Sequence, residues 1–463
     1  MSSTWLSKWE PENPDFWEKE GKQRAWKTLI ITTIALTFSF ATWFVVSAVV
    51  VRLPGIGFKF SQMELFWLAA IPGLSAGILR IINTFLIPIF GTRHVITTTI
   101  FLKLIPMLWL VKAINDPTTS FAEFLTISFL CGLGGGDFSS YMPSTSLFFP
   151  KRLQGVALGI QAGIGNFGVS LTQFVTPIII GSAVFGSLIG GPQEFHKGET
   201  VKQIWLQNAA FWYVPVLIVV GIVAWFMLKS VPVKASFKEQ LDIFNDKHTW
   251  YCTIIYVMTF GSFAGLSAAF PMMIKELYGK FPDAPDPLKY AFYGPLIGSV
   301  LRVVFGSPSD KWGGSLFTLI SGLGLIICSV LLIFSGALNP ASLDQFNIFV
   351  TIMLALFFFT GIGNASTFRQ FPIAFAFNAR KASGVIGFTA AIAAFGPFIF
   401  NSLIGSCIKS YGSPAPFFWG AIIFYVIATY LNWKHYFLRS GERFDRGNSG
   451  GTWWDKAKTT YAQ

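Results

Sequence analysis

Apolar runs of the roughly 20 residues needed to cross a bilayer as helix recur from one end of this chain to the other. They fall at about 28–51, 64–90, 94–114, 121–147, 156–186, 207–230, 250–275, 289–308, 315–337, 346–374, 383–408 and 415–437. The pattern predicts twelve membrane-spanning helices. Pro and Gly inside the runs are no objection, because neighbouring helices satisfy the backbone groups they free. The polar stretches then divide the chain into an N-terminal segment (1–27), a first bundle (28–230), a linker (231–249), a second bundle (250–437) and a tail (438–463).

The second bundle repeats the first. Leu36-Thr37-Phe38-Ser39-Phe40 in segment 1 is answered by Met258-Thr259-Phe260-Gly261-Ser262 in segment 7. Gly134-Gly135-Gly136-Asp137 in segment 4 is answered by Gly361-Ile362-Gly363-Asn364 in segment 10, and Gly155-Val156-Ala157-Leu158-Gly159 by Gly384-Val385-Ile386-Gly387. Two six-helix halves related by an axis normal to the membrane describe the major facilitator architecture, an all-α membrane fold in which substrate binds between the halves near the midplane.

Composition agrees with a membrane chain: mean hydropathy is +0.57 and charged residues are 12% of 463, about half the share in soluble domains. The net charge of +12 raises the question of nucleic acid, and its placement answers it. Basic residues gather before segment 1 (Lys8, Lys19, Lys22, Arg24, Lys27), in the even-to-odd loops (Arg93; Lys151 and Arg152; Lys229, Lys234 and Lys238; Lys311; Arg380 and Lys381) and after segment 12 (Lys434, Arg439). The opposite loops are short, acidic or mixed, as in Glu194-Phe195-His196-Lys197. By the positive-inside rule both termini are cytoplasmic in a plasma (inner) membrane, and no nucleic-acid partner is expected. The first 27 residues are too polar for a cleavable signal. Cys131, Cys252, Cys328 and Cys407 lack paired spacing and read as packing residues, while His94, His196, His248 and His435 fall at segment ends. No metal cluster or nucleophile–base pair is present in the pattern, so no metal, cofactor or enzyme chemistry is expected.

Charge inside the apolar runs is the informative exception. Arg80 and Arg302 lie deep in segments 2 and 8, and eleven positions past each comes a glycine, Gly91 and Gly313. A guanidinium stays charged at any accessible pH, and buried ionisable groups usually mark a substrate path. Asp137 is the one clearly mid-membrane carboxylate, and it does not neutralise two arginines. Lys103, inside segment 3, is its natural partner; the alternative makes Asp137 a protonatable coupling group. Asn166, in Gly163-Ile164-Gly165-Asn166, and Asn364 bring amides into apolar settings, and Arg369 follows the segment 10 motif.

At these residues the chain resembles the nitrate/nitrite porters of the major facilitator superfamily over nearly its whole length. Gly163–Ser170 matches that family's first nitrate-signature motif, and Gly361–Phe368 with Gly384–Gly396 covers the region of the second. Trp9-Glu10-Pro11-Glu12-Asn13-Pro14-Asp15-Phe16-Trp17 resembles the lead-in of bacterial members. The resemblance implies that Arg80 and Arg302 are the paired substrate arginines. It also implies that Phe138 and Phe260 sandwich a planar anion, that Tyr256 donates a hydroxyl beside it, and that Asn166 lies close by. Asp137 departs from the family, where asparagine is expected. The implied activity is transport of nitrate and nitrite by a monomer in the lipid bilayer. Two arginines without a titratable partner favour nitrate/nitrite exchange, whereas a reachable Asp137 permits nitrate–proton symport. A porter for another small anion and a non-transporting anion sensor are the remaining alternatives.

Overall fold

The computed structural model describes residues 4–197, 200–232 and 238–446. Lys234 and residues 447–463 of the tail lie outside the described residues, as do the side chains of Lys151, Arg152, Lys197, Lys238 and Arg380.

Helices occupy all twelve expected segments. In the first half these are α1 (Pro14–Val49), α2 (Gln62–Asn83), α3 (Ile89–Asn115), α4 (Phe121–Gly136 continued by Phe138–Phe148), α5 (Lys151–Ile179) and α6 (Asn208–Met227). In the second half they are α7 (Lys247–Tyr278), α8 (Pro287–Val304, then Gly306–Trp312 after a 44° bend), α9 (Gly314–Phe334), α10 (Gln345–Ala374), α11 (Ala379–Ala393 continued by Gly396–Tyr411) and α12 (Ala415–Phe437). Among the described residues nine helices are long and apolar enough to cross a membrane on their own, or ten with the bent α8. The two outside that count are α4, which breaks at Asp137, and α5, which carries Gln161, Asn166 and Gln173. Their polar content reflects the interface they line. Phe226, Phe334, Ile327, Ile423 and Val219 are exposed on the outer face, where lipid is the only solvent that suits them.

Two local features differ from expectation. α2 stops at Asn83 instead of running to about 90, and the chain that follows turns at Gly91, whose φ is +79°. Gly313 turns at the equivalent place in the second half with φ +101°. The glycine placed eleven residues past each buried arginine thus supplies the left-handed backbone that a side chain disfavours. The second difference is a hairpin in the α5–α6 connection, β1 (Gln193–Lys197) paired antiparallel with β2 (Thr200–Ile204). Its Phe195 lies against Gly55 and has the Arg52 guanidinium 5.3 Å from its ring centroid.

The halves are closed together at the hairpin end. Arg52, just past α1, places Nη2 2.7 Å from each carboxylate oxygen of Asp286. Asp286 also caps α8, accepting from Leu288 N at 3.0 Å. Gln173 Nε2 on α5 donates to Ser267 O on α7 at 2.8 Å, and Ser170 Oγ donates to Phe292 O at 3.0 Å. Toward the other end a cavity of about 580 Å³ separates α4 and α5 from α8, α10 and α11. That end carries the first and last described residues: Leu6 N donates to Ser230 O at 2.9 Å and Trp9 Nε1 to Leu147 O at 3.0 Å. Glu442 of the tail takes Lys247 Nζ at 2.8 Å and His248 Nε2 at 2.9 Å. The bond from Lys247, with His248 adding to it, holds the Glu442 carboxyl down at about 2.

Small residues let α1 and α5 approach until backbone meets backbone. A Cβ on Gly168 of α5 would overlap Thr37 O of α1. Gly168→Ala is therefore expected to cost about 1–3 kcal/mol through overpacking. Thermal unfolding of the purified protein in detergent measures this, and an unchanged midpoint would refute so close an approach.

Candidate functional site

The repeat brings Arg80 and Arg302 to the middle of the bundle from opposite halves, at full burial for Arg80 and 5% exposure for Arg302. Arg80 Nε donates to Gly135 O at 2.7 Å, and Nη1 crosses to α11, where Ala390 O accepts at 2.7 Å. Arg80 Nη2 has no hydrogen-bond partner. Arg302 Nη2 donates to the Tyr256 hydroxyl at 3.2 Å. Asn166, with its amide oriented so that oxygen faces the cation, accepts from Arg302 Nη1 at 2.9 Å and donates to Ala162 O at 3.2 Å. The reverse orientation would point an NH₂ at a guanidinium, so the network fixes this one. Each arginine is thereby bonded to the half opposite its own.

Aromatic rings fill the space between the two cations. Phe260 is shared: its centroid lies 5.3 Å from the Arg80 guanidinium carbon and 5.7 Å from that of Arg302. Phe138 lies 4.8 Å from Arg80, Trp43 5.3 Å and Phe40 5.8 Å; Phe368 lies 4.6 Å from Arg302. Ring faces carry partial negative charge and ease burial of a cation, though each such contact is worth only about 0.5–2 kcal/mol. The Phe138 and Phe260 centroids are 6.3 Å apart with planes inclined by 27°. Two layers at the ~3.5 Å van der Waals spacing need about 7 Å, slightly more than this separation. Tyr256 stacks behind Phe260 at 5.4 Å and 8°.

Among the described residues no carboxylate lies within ion-pair distance of Arg80 or Arg302. Asp137 is engaged elsewhere: its Oδ2 forms an ion pair with Lys103 Nζ and accepts from Ser39 Oγ at 2.6 Å. Lys103 also donates to Thr99 O at 2.9 Å. Both members of the pair are buried. Asp137 Oδ1 has no donor. Arg369 pairs with Asp310 at 2.9 Å, and both line the cavity nearer the termini, as does Asn364. The sequence-based candidates therefore separate into a central set (Arg80, Arg302, Phe138, Phe260, Tyr256, Asn166), a buried pair beside it (Lys103, Asp137), and cavity-wall residues (Asn364, Arg369). Sequence reading missed Trp43, Phe40, Phe368 and Ser39. Phe368 had a visible signal, four residues after Asn364 on the same helical face; Phe40 and Trp43 did not stand out among 50 phenylalanines and 16 tryptophans.

Two pseudo-symmetric helix bundles enclosing a central polar site have the architecture of membrane transporters. Comparisons agree. The Major Facilitator Superfamily model matches residues 29–382. The chain is 54% identical over 441 residues to the probable nitrate/nitrite antiporter NarK2 of Thermus thermophilus, covering 95% of this chain and 98% of that one. It is 37% identical over 453 residues to the nitrate/nitrite transporter NarU of Escherichia coli K12, covering 93% and 96%. The crystal structure of a bacterial homologue of the human lysosomal transporter Spinster, inward-facing and occupied, superposes with a TM-score of 0.61. It covers 88% of this chain and 95% of that one, and at 16% identity it shares the fold alone. The chain belongs to the nitrate/nitrite porter family of the major facilitator superfamily.

The buried ion pair makes a prediction of its own. Removing one partner leaves an uncompensated charge, so Lys103→Met should destabilise by about 3–5 kcal/mol, while Lys103→Met with Asp137→Asn should recover most of that loss. Chemical or thermal unfolding in detergent distinguishes them. Equal losses in the single and double variants would show that the two residues are not energetically paired.

Proposed function

We propose that the protein exchanges nitrate for nitrite by alternating access, acting as a monomer in the plasma (inner) membrane with both termini cytoplasmic. The observation that carries this reading is the pair of buried guanidinia that meets no carboxylate and flanks two nearly parallel rings. Two buried charges without a counter-charge are costly, and a small anion is the partner that relieves both. A guanidinium offers parallel N–H donors to two oxygens in one plane, which suits a flat oxyanion. Rings above and below that plane exclude tetrahedral phosphate or sulfate by thickness. The nitrate/nitrite transporters that this chain resembles along more than nine-tenths of its length point to the particular anions. Cytoplasmic termini follow from the placement of Lys and Arg, and the cavity on the terminal side makes this the inward-facing state.

Exchange follows from charge. With the site empty, closing the halves compresses two like charges; with an anion present, that repulsion is screened and the switch is permitted. The competing reading, nitrate–proton symport, needs a titratable group at the site. Asp137 is the candidate, since its Oδ1 lacks a donor, but its Oδ2 holds Lys103 and Ser39.

Nitrate uptake into proteoliposomes should require nitrite or nitrate inside and be indifferent to an imposed pH gradient. Uptake into anion-free vesicles that follows an inward proton gradient would overturn exchange and make Asp137 the coupling residue. Arg302→Lys keeps the charge and loses the fork, and should weaken nitrate binding by about 10- to 100-fold, the value of a charge-assisted hydrogen bond; wild-type affinity in that variant would remove Arg302 from the site.

A further inference from the structure

Asn364 stands on the cavity wall, one turn of α10 before Phe368. It is fully buried on α10, and neither its Nδ2 nor its Oδ1 has a hydrogen-bond partner. Leaving an amide unpaired away from water costs about 1–3 kcal/mol for each group, so a purely structural asparagine here is a poor choice where leucine would pack. Its neighbours are telling. Gly361, three residues earlier, packs against Gly298 O and the Leu301 side chain, one residue before Arg302. Gly363 packs against Thr259, next to Phe260. Phe368, one turn on and on the same face, carries the Arg302 guanidinium 4.6 Å from its centroid. Asn364, Phe368 and Arg302 all line the cavity.

The repeat sharpens the point. Asn364 is the second-half counterpart of Asp137, and Asp137 is occupied by Lys103 and Ser39. The offset that relates Arg80 to Arg302, and Gly91 to Gly313, relates Lys103 to Leu325, a buried residue of the apolar core. The first half therefore neutralises this position internally, while the second half offers an amide with no internal partner.

We propose that Asn364 is a substrate-contacting residue that donates its Nδ2–H to an oxygen of the bound planar oxyanion beside Arg302. This deepens the exchange reading above and rests on it. A neutral donor suits the position, because it adds affinity for an anion without adding a third positive charge to a site already burdened with two.

The test uses the full chain, purified in detergent and in proteoliposomes, with sodium nitrate as probe. Asn364→Leu should raise the nitrate KM for exchange about 10- to 100-fold, the value of one lost hydrogen bond to a charged group, with Vmax within twofold. It should also lose most of the thermal stabilisation that nitrate gives the wild type. Without nitrate its melting temperature should equal or exceed that of the wild type, since an unpaired buried amide has been removed; a packing role for the asparagine predicts the opposite. Asn364→Ser, which keeps a donor in a smaller side chain, should fall between the two and guards against a folding failure in the leucine variant. Unchanged nitrate KM and unchanged stabilisation in Asn364→Leu, alongside a loss in Arg302→Lys, would overturn this assignment alone. A wild-type protein that neither responds to nitrate nor exchanges it would bring down the parent reading, and this one with it.

Discussion

Two positive charges that cannot be discharged sit at the centre of this protein, and much of the surrounding structure manages their presence. Guanidinium does not shed its proton in a protein, so burial of Arg80 and Arg302 has to be met by acceptors and polarisable faces. The acceptors are mostly neutral: Gly135 O, Ala390 O, the Tyr256 hydroxyl and the Asn166 amide oxygen. The faces are Phe138, Phe260, Phe368, Phe40 and Trp43. None of these cancels a charge. The arrangement holds the cations in place without satisfying them, which is what a site for a small, transient anion requires.

The rest of the bundle makes that arrangement possible. Close approach of α5 and α8 at Gly163, which packs against Val303, brings Asn166 within reach of an arginine from the other half. The break in α4 at Asp137 is fixed by Lys103 and Ser39, and it sets the ring of Phe138 directly after it. Because Arg80 bonds to α11 and Arg302 bonds to α5, the cations belong to the seam between the halves and not to either half. Any rocking motion must exchange those bonds, and an anion oxygen is an acceptor of the same kind as the carbonyls it would replace.

Much of this was legible in the chain. Twelve apolar runs gave twelve helices, and the matching arginines and glycines exposed the repeat, because charge and left-handed turns are rare enough in membrane helices to be noticed singly. The Lys103–Asp137 partnership was legible for the same reason: two mid-helix charges of opposite sign invite pairing. Packing residues were not. Phe138 and Phe260 stood out only through a family resemblance, since nothing in a phenylalanine distinguishes a clamp from a core. The hairpin at 193–204 was hidden because a short polar alternation in a loop carries little weight against membrane-scale patterns. Asn364 was visible as an amide in an apolar run, but its lack of any partner is a property of three-dimensional neighbours and not of sequence.

The contact between Arg52 and Asp286 has a consequence on a different scale. It bridges the halves at the end away from the cavity, and it is partly open to solvent there, with the two side chains 11% and 25% exposed. Arg80 and the Lys103–Asp137 pair are buried, while Arg302 lies on the wall of the cavity. Dissolved ions screen exposed charges over about 8 Å at physiological ionic strength and hardly touch buried ones. Salt therefore weakens this contact somewhat more than it weakens the Lys103–Asp137 pair. The contact that ties the halves together at that end thus answers to the ionic strength of the compartment it faces.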